Sequence, residues 1–279
     1  MKIYLFLISL LVSSAVAQPG SSWQRQAPEQ RDLQLFHSRM GVVLPTAETP
    51  IQGNILFEVS HRFNTPISEG PEIGYGLDGG ANIRLSLGYA FTDRLFFQLG
   101  RTDINDNIDG YVRYKTLQIR NDLLPTLVSL QLTTAYNSQI FEPVANESRK
   151  WQVAGQVIIN TLYKEKLGIG LIPSFLYNAN IFCKSIQNSM VLGTHLQYYI
   201  NDQFSVLAEY SPTISGWRRW HDSLALALEI ETGGHFFKIT VTNNDRMNMS
   251  QYLAGADLEP KTKNWRLGFV ITRTFTTRR

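Results

Sequence analysis

"ETGGHFFKITVTNNDRMNM", residues 231–249, decides the fold, because its pattern changes from a turn to strict alternation and then to a polar run. After the two glycines, Phe237, Ile239 and Val241 alternate with three polar residues. Successive side chains of a strand point to opposite faces, so one face is apolar and the other is polar. Consecutive glycines supply the positive φ that a tight hairpin turn requires. The stretch therefore predicts a hairpin whose strands separate an apolar medium from water.

The same alternation recurs along most of the chain. Segments such as "ILFEVSHRF" (55–63), "NIRLSLGY" (82–89) and "VSLQLTTAY" (128–136) each have one apolar and one polar face. Most of the segments are close to the length that crosses a bilayer at a tilt. We predict about twelve strands, at residues 55–63, 82–89, 95–102, 110–120, 128–136, 151–161, 167–177, 189–199, 204–212, 223–231, 235–243 and 264–275.

The connections between these strands alternate between short and long. The short ones include "FTDR" (91–94), "INDQ" (200–203) and "TGG" (232–234), whereas 244–263 is the longest. Short turns at one rim and long loops at the other are typical of an outer-membrane barrel. Closure is required because every backbone polar group in hydrocarbon needs an internal partner. The predicted fold is all-β, a closed antiparallel up-and-down transmembrane β-barrel of about 12 strands, with the longest loop on the cell exterior.

The first seventeen residues, "MKIYLFLISLLVSSAVA", have a basic start, a short apolar run and a small-residue end, which is typical of a cleavable signal peptide. Residues 18–50 are polar and contain prolines, so we expect a flexible periplasmic lead-in, followed by the barrel at 51–279. Cys183 is the single cysteine and has no partner for a disulfide within the chain. These features predict export to the bacterial outer membrane.

Charge and the last strand bear on the partners. The chain has 26 basic and 23 acidic residues, a balance that gives no reason to expect nucleic acid. The expected partners are outer-membrane lipids and the barrel assembly machinery. The last strand, "NWRLGFVITRTF", ends at Phe275, and a terminal aromatic of this kind resembles the signal which that machinery reads, although four residues follow it here.

If the apolar faces meet lipid, the opposite parity lines the lumen. These residues mix acids and bases, so they indicate either a charged constriction that guides a polar solute or an ion-pair network that braces a narrow barrel. The leading functional hypothesis is a pore or transporter for small polar solutes, or a structural envelope protein. The candidate lumen residues are Glu58, Arg62, Arg84, Gln98, Arg113, Lys115, His195, Glu209, Glu229, Lys238 and Arg266.

Two other hypotheses remain open at this stage. His221 and Ser223, with Glu229 as an orienting acid, suggest a lipid-modifying hydrolase of the outer membrane. The strand parity argues against it, because it turns Ser223 away from lipid. A soluble exported barrel that binds an apolar ligand inside would invert the two faces. The five histidines show no spacing typical of haem or zinc, so we predict no catalytic residues, no metal and no cofactor.

Several segments together resemble a family of uncharacterised bacterial outer-membrane β-barrel proteins, a domain of unknown function. The resemblance extends from about Leu35 to Phe275 and implies a barrel, but it implies no activity and no site residues. The segments that carry it are "ILFEVSHRF", "GLDGGANIRLSLGYAFTDRLFFQLGRT", "DGYVRYKTL", "LIPSFLY", "LAEYSP", "ETGGHFFKITVTNN" and "GFVITRTF".

Overall fold

A computed structural model describes residues 33–140, 147–181, 183, 185–261 and 264–276. Its main feature is one antiparallel sheet that closes on itself. The strands are β1 Ile55–Phe63, β2 Ala81–Ala90, β3 Leu95–Thr102, β4 Asn107–Ile119, β5 Thr126–Asn137, β6 Trp151–Tyr163, β7 Leu167–Tyr177, β8 Asn188–Tyr199, β9 Phe204–Ser211, β10 Thr213–Gly216, β11 Ser223–Thr232, β12 His235–Thr242 and β13 Arg266–Phe275.

The ring is complete because both possible edges are paired. The first and last strands, β1 and β13, pair with Ile55 opposite Phe275. On the far side, β8 pairs with both β9 and β10, which follow one another on either side of Pro212. The two segments are therefore one interrupted strand, and the predicted closed 12-strand barrel is confirmed. The reading of Phe275 by an assembly machinery stays a prediction.

The two faces of the wall differ as the alternation predicts. Large apolar side chains such as Leu85, Leu130 and Ile239 are about half exposed on the outside, while their polar neighbours point inward and are buried. A soluble barrel would not present a continuous apolar belt to water. The hypothesis of a soluble barrel with inverted faces is therefore wrong.

The connections define two ends of the barrel. We call the rim with residues 91–94, 200–203 and 233–234 the short-turn end, and the opposite rim the long-loop end. Gly233 and Gly234 have φ of 48° and 111°, as a tight turn requires. The long-loop end carries 3₁₀ turns at Ile67–Glu69, Pro71–Gly76, Ile104–Asp106 and Glu147–Lys150, and the helix α1 at Met249–Leu253. No helix in the described ranges is long and apolar enough to cross a membrane.

Candidate functional site

The side chains predicted to line the lumen all lie on the inner face of the barrel, and each has an exposure of 7% or less. Their burial raises the question of what fills the space around them. They are Glu58, Arg62, Arg84, Gln98, Arg113, Lys115, His195, Glu209, Glu229, Lys238 and Arg266. Their part in guiding a solute stays a prediction.

The chain before β1 turns back into the lumen and fills it. We call residues 35–50 the plug, and all of them except His37 and Arg39 are buried. The expectation of a flexible periplasmic lead-in is therefore wrong for this part of the chain. Residues 18–32 of that lead-in, and the predicted signal peptide at 1–17, lie outside the described residues.

Both ends of the plug lie at the short-turn end. The backbone N–H of Leu33 donates to Oε1 of Gln118 at 2.7 Å, close to the end of β4. Thr49 Oγ1 donates to the carbonyl of Asp93 at 2.5 Å, and the N–H of Gln52 donates to the Asp93 carboxylate at 2.7 Å. The plug thus enters the lumen, turns, and leaves by the same rim.

The tip of the plug is a tight turn that is held by a buried carboxylate. Met40 and Pro45 form an isolated bridge across the turn. Glu209 on β9 accepts backbone N–H groups from Val42 at 2.5 Å, from Val43 at 3.0 Å and from Leu44 at 3.1 Å. A buried carboxylate is costly unless it is hydrogen-bonded, and convergent backbone N–H groups satisfy it well. The plug tip and Glu209 therefore stabilise each other.

Gly41 permits this close approach. A Cβ at residue 41 would overlap with the Glu209 carboxylate and the ring of His195. His195 on β8 is buried, with Nδ1 3.5 Å from Oε1 of Glu209. The backbone of the plug can reach the carboxylate only because residue 41 has no side chain.

Lys238 on β12 holds the other side of the tip. Its Nζ donates to the carbonyls of Met40 at 2.5 Å and Gly41 at 2.6 Å, and to Ser38 Oγ at 3.0 Å. Glu229 on β11 lies 3.2 Å from the same Nζ and balances its charge. Lys238 therefore binds carbonyl groups of the plug tip, while Glu209 binds its N–H groups.

Arg113 on β4 makes a third attachment, from the opposite wall. Its Nη1 donates to the carbonyls of Arg39 at 3.0 Å and Glu48 at 2.8 Å, which belong to the two arms of the plug. Its Nε donates to Oε1 of Gln131 on β5 at 2.8 Å. The predicted lumen charges thus include the groups that hold the plug.

Other predicted lumen residues brace the wall instead. Arg84 on β2 donates to Glu58 on β1 at 3.0 Å and to Asp109 on β4 at 2.6 Å and 3.0 Å. All three side chains are buried. This cluster has the form of the ion-pair network that braces a narrow barrel, which is one of the two interpretations of the lumen charges given above.

The long loop between β12 and β13 closes the lumen from the other end. We call residues 243–261 the inward loop. Its helix α1 brings Met249 to Gln131, with 2.9 Å between Sδ and Nε2, and Gln251 donates to Asn137 at 2.7 Å. Tyr252 and Ala256 are fully buried. The expectation that this loop lies on the exterior is therefore wrong for its middle part.

Two of the predicted lumen arginines anchor this loop. Arg62 donates to the carbonyls of Asn244 at 2.9 Å and Arg246 at 2.6 Å. Arg266 makes a bidentate pair with Asp257 at 2.7 Å and 2.8 Å. The fork of an arginine suits such paired contacts. The loop therefore has fixed attachments to β1 and β13.

The interior also has an apolar side, which the sequence reasoning missed. Part of the inner face of β5 to β8 is aliphatic and packs against the plug residues Phe36, Val42 and Leu44. The available signal was the presence of apolar residues at both parities within 151–163 and 167–177. The aliphatic inner residues of these four strands are Leu127, Ala154, Ile158, Leu162, Ile172, Leu176 and Val191.

The hydrolase residues do not assemble into a catalytic set. Ser223 Oγ donates to the carbonyl of Tyr252 at 2.5 Å and accepts from Asn244 Nδ2 at 2.8 Å. Glu229 lies six residues further along β11, roughly 20 Å away in an extended strand. It is already paired with Lys238. Glu229 is therefore too far away to orient His221, and the geometry does not support the hydrolase hypothesis.

A cavity of about 240 Å³ opens at the long-loop end. It lies between the inward loop, the loop after β7 and the loop after β10. Its residues were missed by the sequence reasoning, although the run "GWRRWHD" at 216–222 was a visible signal. The lining residues are Gln152, Ala179, Asn180, Ile181, Trp217, Arg219, Trp220, Arg246, Gln251, Ala254 and Gly255.

Comparisons with known proteins agree with the barrel. A family model described as a membrane bound beta barrel domain (DUF5777) matches residues 36–275, which includes nearly all of the plug. The NanC porin is 12% identical with a TM-score of 0.50, over 80% of this chain and 99% of the porin. The COG4313 outer membrane channel from Pseudomonas putida F1 is also 12% identical with a TM-score of 0.50, over 82% of this chain and 98% of the channel. No curated protein matches. At such identities the two structures show a shared fold alone.

Proposed function

The chain belongs to the membrane bound β-barrel domain family, and on that premise we propose that it is an outer-membrane channel for small polar solutes, gated by its own plug. The long-loop end faces the cell exterior and the short-turn end faces the periplasm, as in other outer-membrane barrels. The observation that carries the proposal is the attachment of the plug to the wall through Glu209, Lys238 and Arg113.

The path of the plug supports a gate, because the plug has both arms at the short-turn end. Leu33 and Gln52 are held near this rim, and the tip at Met40–Pro45 lies deeper inside. A segment arranged in this way can withdraw without being threaded through the wall. Its polar contacts exchange with water, so each contributes only about 0.5–1.5 kcal/mol net, or about 1.5–3 kcal/mol where a charge is involved.

A disulfide between plug and wall tests this proposal. Ser129 Oγ on β5 donates to the carbonyl of Ala47 at 2.7 Å, so these two residues are neighbours. We expect Ala47→Cys with Ser129→Cys, in a Cys183→Ser background, to form a disulfide that tethers the plug. In planar bilayers the oxidised protein should show no conductance steps, and a reducing agent should restore the steps of the wild type. The single variant Ala47→Cys in the same background is the matched control.

A second candidate is a closed barrel with a structural role in the envelope. The buried cluster of Arg84, Glu58 and Asp109 favours it, because such a network stiffens a wall without serving a solute path. It predicts no conductance steps in the wild type under any condition. Steps that persist after oxidation of the tethered protein would contradict the gate, and the absence of steps in the wild type would contradict the channel.

A further inference from the structure

Among the described residues, the lining of the cavity at the long-loop end contains cationic groups and no carboxylate. Two guanidinium groups, those of Arg219 and Arg246, contribute to it, and no aspartate or glutamate does. The amide nitrogens of Gln152, Gln251 and Asn180 also line it, but they already donate to acceptors within the protein, so the charge of the lining comes from the two arginines. The electrostatic character of this wall therefore favours an anion.

Arg219 has unused hydrogen-bonding capacity. Its ion pairs with Asp245, at 2.5 Å, and with Asp257, at 4.0 Å, both involve Nη1. Within the described part of the chain, Nε and Nη2 of Arg219 donate to no acceptor. Burial alone would raise the pKa of the Asp245 carboxyl, but the charges of Arg246 and Arg219 outweigh this effect and lower it. The ionised Asp245 thus holds Nη1 of Arg219, and Nε and Nη2 stay available to a ligand.

Two tryptophans give the cavity an apolar surface beside this charge. Trp220 is 71% exposed, and the guanidinium of Arg219 lies 5.8 Å from its ring centroid. Trp217 packs against the buried apolar cluster and is held at its backbone by Ser189. Neither indole N–H has an acceptor among the described residues. The two rings therefore offer flat faces for stacking and further unused donors.

We propose that this cavity is a binding site for a small cyclic carboxylate with an apolar ring face. The carboxylate would bind the free fork of Arg219, and the ring would pack on the tryptophans. A volume of about 240 Å³ is below the roughly 300–1,000 Å³ of pockets for drug-sized ligands, so it fits a single ring with its substituents. The inference rests on the proposed function, since it makes the bound molecule the solute that the channel admits.

Binding to the purified full-length protein in detergent tests the site without requiring the channel to open. The probes are sodium glucuronate, sodium benzoate and glucose, measured by titration calorimetry and tryptophan fluorescence. We expect saturable binding of at least one carboxylate and none of glucose at the same concentration. The ratio of glucuronate to benzoate affinity distinguishes a sugar ring from an aromatic one.

Neighbouring arginines provide a matched pair of variants. Arg219→Gln should weaken binding of the carboxylate by about tenfold or more, because it removes a charge-assisted contact. Arg218→Gln is the control, since Arg218 pairs with Asp222 at 3.1 Å and does not line the cavity. Trp220→Ala should also weaken binding. The heat-modified mobility of each variant on gels reports whether the barrel has folded.

Three results would overturn the site: no binding of either carboxylate, binding of glucose as tight as that of the carboxylates, or equal losses for Arg219→Gln and Arg218→Gln. The channel proposal fails by a different measurement, namely the absence of conductance steps in the wild-type protein. Binding that follows this pattern in a protein with no conductance would leave the site in place and remove the channel.

Discussion

The contact between Glu209 and the plug tip allows a sharp test of the gate. Glu209→Gln keeps the shape of the side chain but removes its charge and replaces one oxygen by an NH₂ group. The three plug N–H groups, from Val42, Val43 and Leu44, then face an uncharged amide that can satisfy them only in part. We expect the plug to leave the lumen more often.

The size of the effect follows from the number and type of the bonds. Hydrogen bonds to a charged group contribute about 1.5–3 kcal/mol each and neutral ones about 0.5–1.5 kcal/mol, so three weakened bonds amount to about 3 kcal/mol. Removal of a buried charge returns part of its desolvation free energy, which lowers the net loss to about 2 kcal/mol. This corresponds to a ~30-fold increase in the ratio of open to closed channels.

Single-channel recording in planar bilayers measures that ratio directly. Glu58→Gln is the matched control, because Glu58 is also a buried wall carboxylate but its partners are Arg84 and Ser60 rather than the plug. We expect the control to leave the open fraction close to that of the wild type. Equal open fractions for Glu209→Gln and Glu58→Gln would refute the inference that Glu209 holds the plug in the lumen.

Two further predictions concern the outer face and the plug turn. Leu132 points outward in the middle of β5 and is 56% exposed, so Leu132→Arg should destabilise the barrel in liposomes by about 2–4 kcal/mol. Ile119 is 46% exposed at the rim, and Ile119→Arg should cost only about 0–1 kcal/mol. Equal urea midpoints for the two variants would contradict a lipid-facing belt. Gly41→Ala should destabilise the docked plug by about 1–3 kcal/mol through overlap with its neighbours, and so speed trypsin cleavage after Arg39. Gly155→Ala, where a Cβ would meet no atom, should leave cleavage unchanged, and the same rate in both variants would exclude a tight fit at the tip.

The barrel could be predicted from the sequence because its periodicity is local. A strand with lipid on one side and polar groups on the other must alternate, and β3 begins and ends where the pattern places it, at Leu95 and Thr102. The pattern was less informative at Pro212, where the predicted strand ends but pairing with β8 resumes at Thr213. A proline removes one donor without stopping the chain from staying extended.

The plug could not be predicted, because its main attachments use its backbone. Glu209, Lys238 and Arg113 bind N–H and carbonyl groups that every segment of chain possesses, so residues 35–50 needed no periodic pattern to be recognised by the wall. The run of apolar residues from Val42 to Leu44 was the one local hint. The same reason applies to the part of the inward loop that Arg62 holds through carbonyl oxygens.

The long reach of the plug contacts has a consequence for the order of folding. The plug lies near the start of the described part of the chain, yet its partners on the barrel strands lie 65 to 200 residues away in sequence, from β4 to β12. Contacts of such separation form only after the intervening chain has been arranged. Although the plug is synthesised early, we therefore expect it to dock in the lumen only after the barrel has closed. During refolding into liposomes, resistance of the barrel to proteases should appear before protection of Arg39.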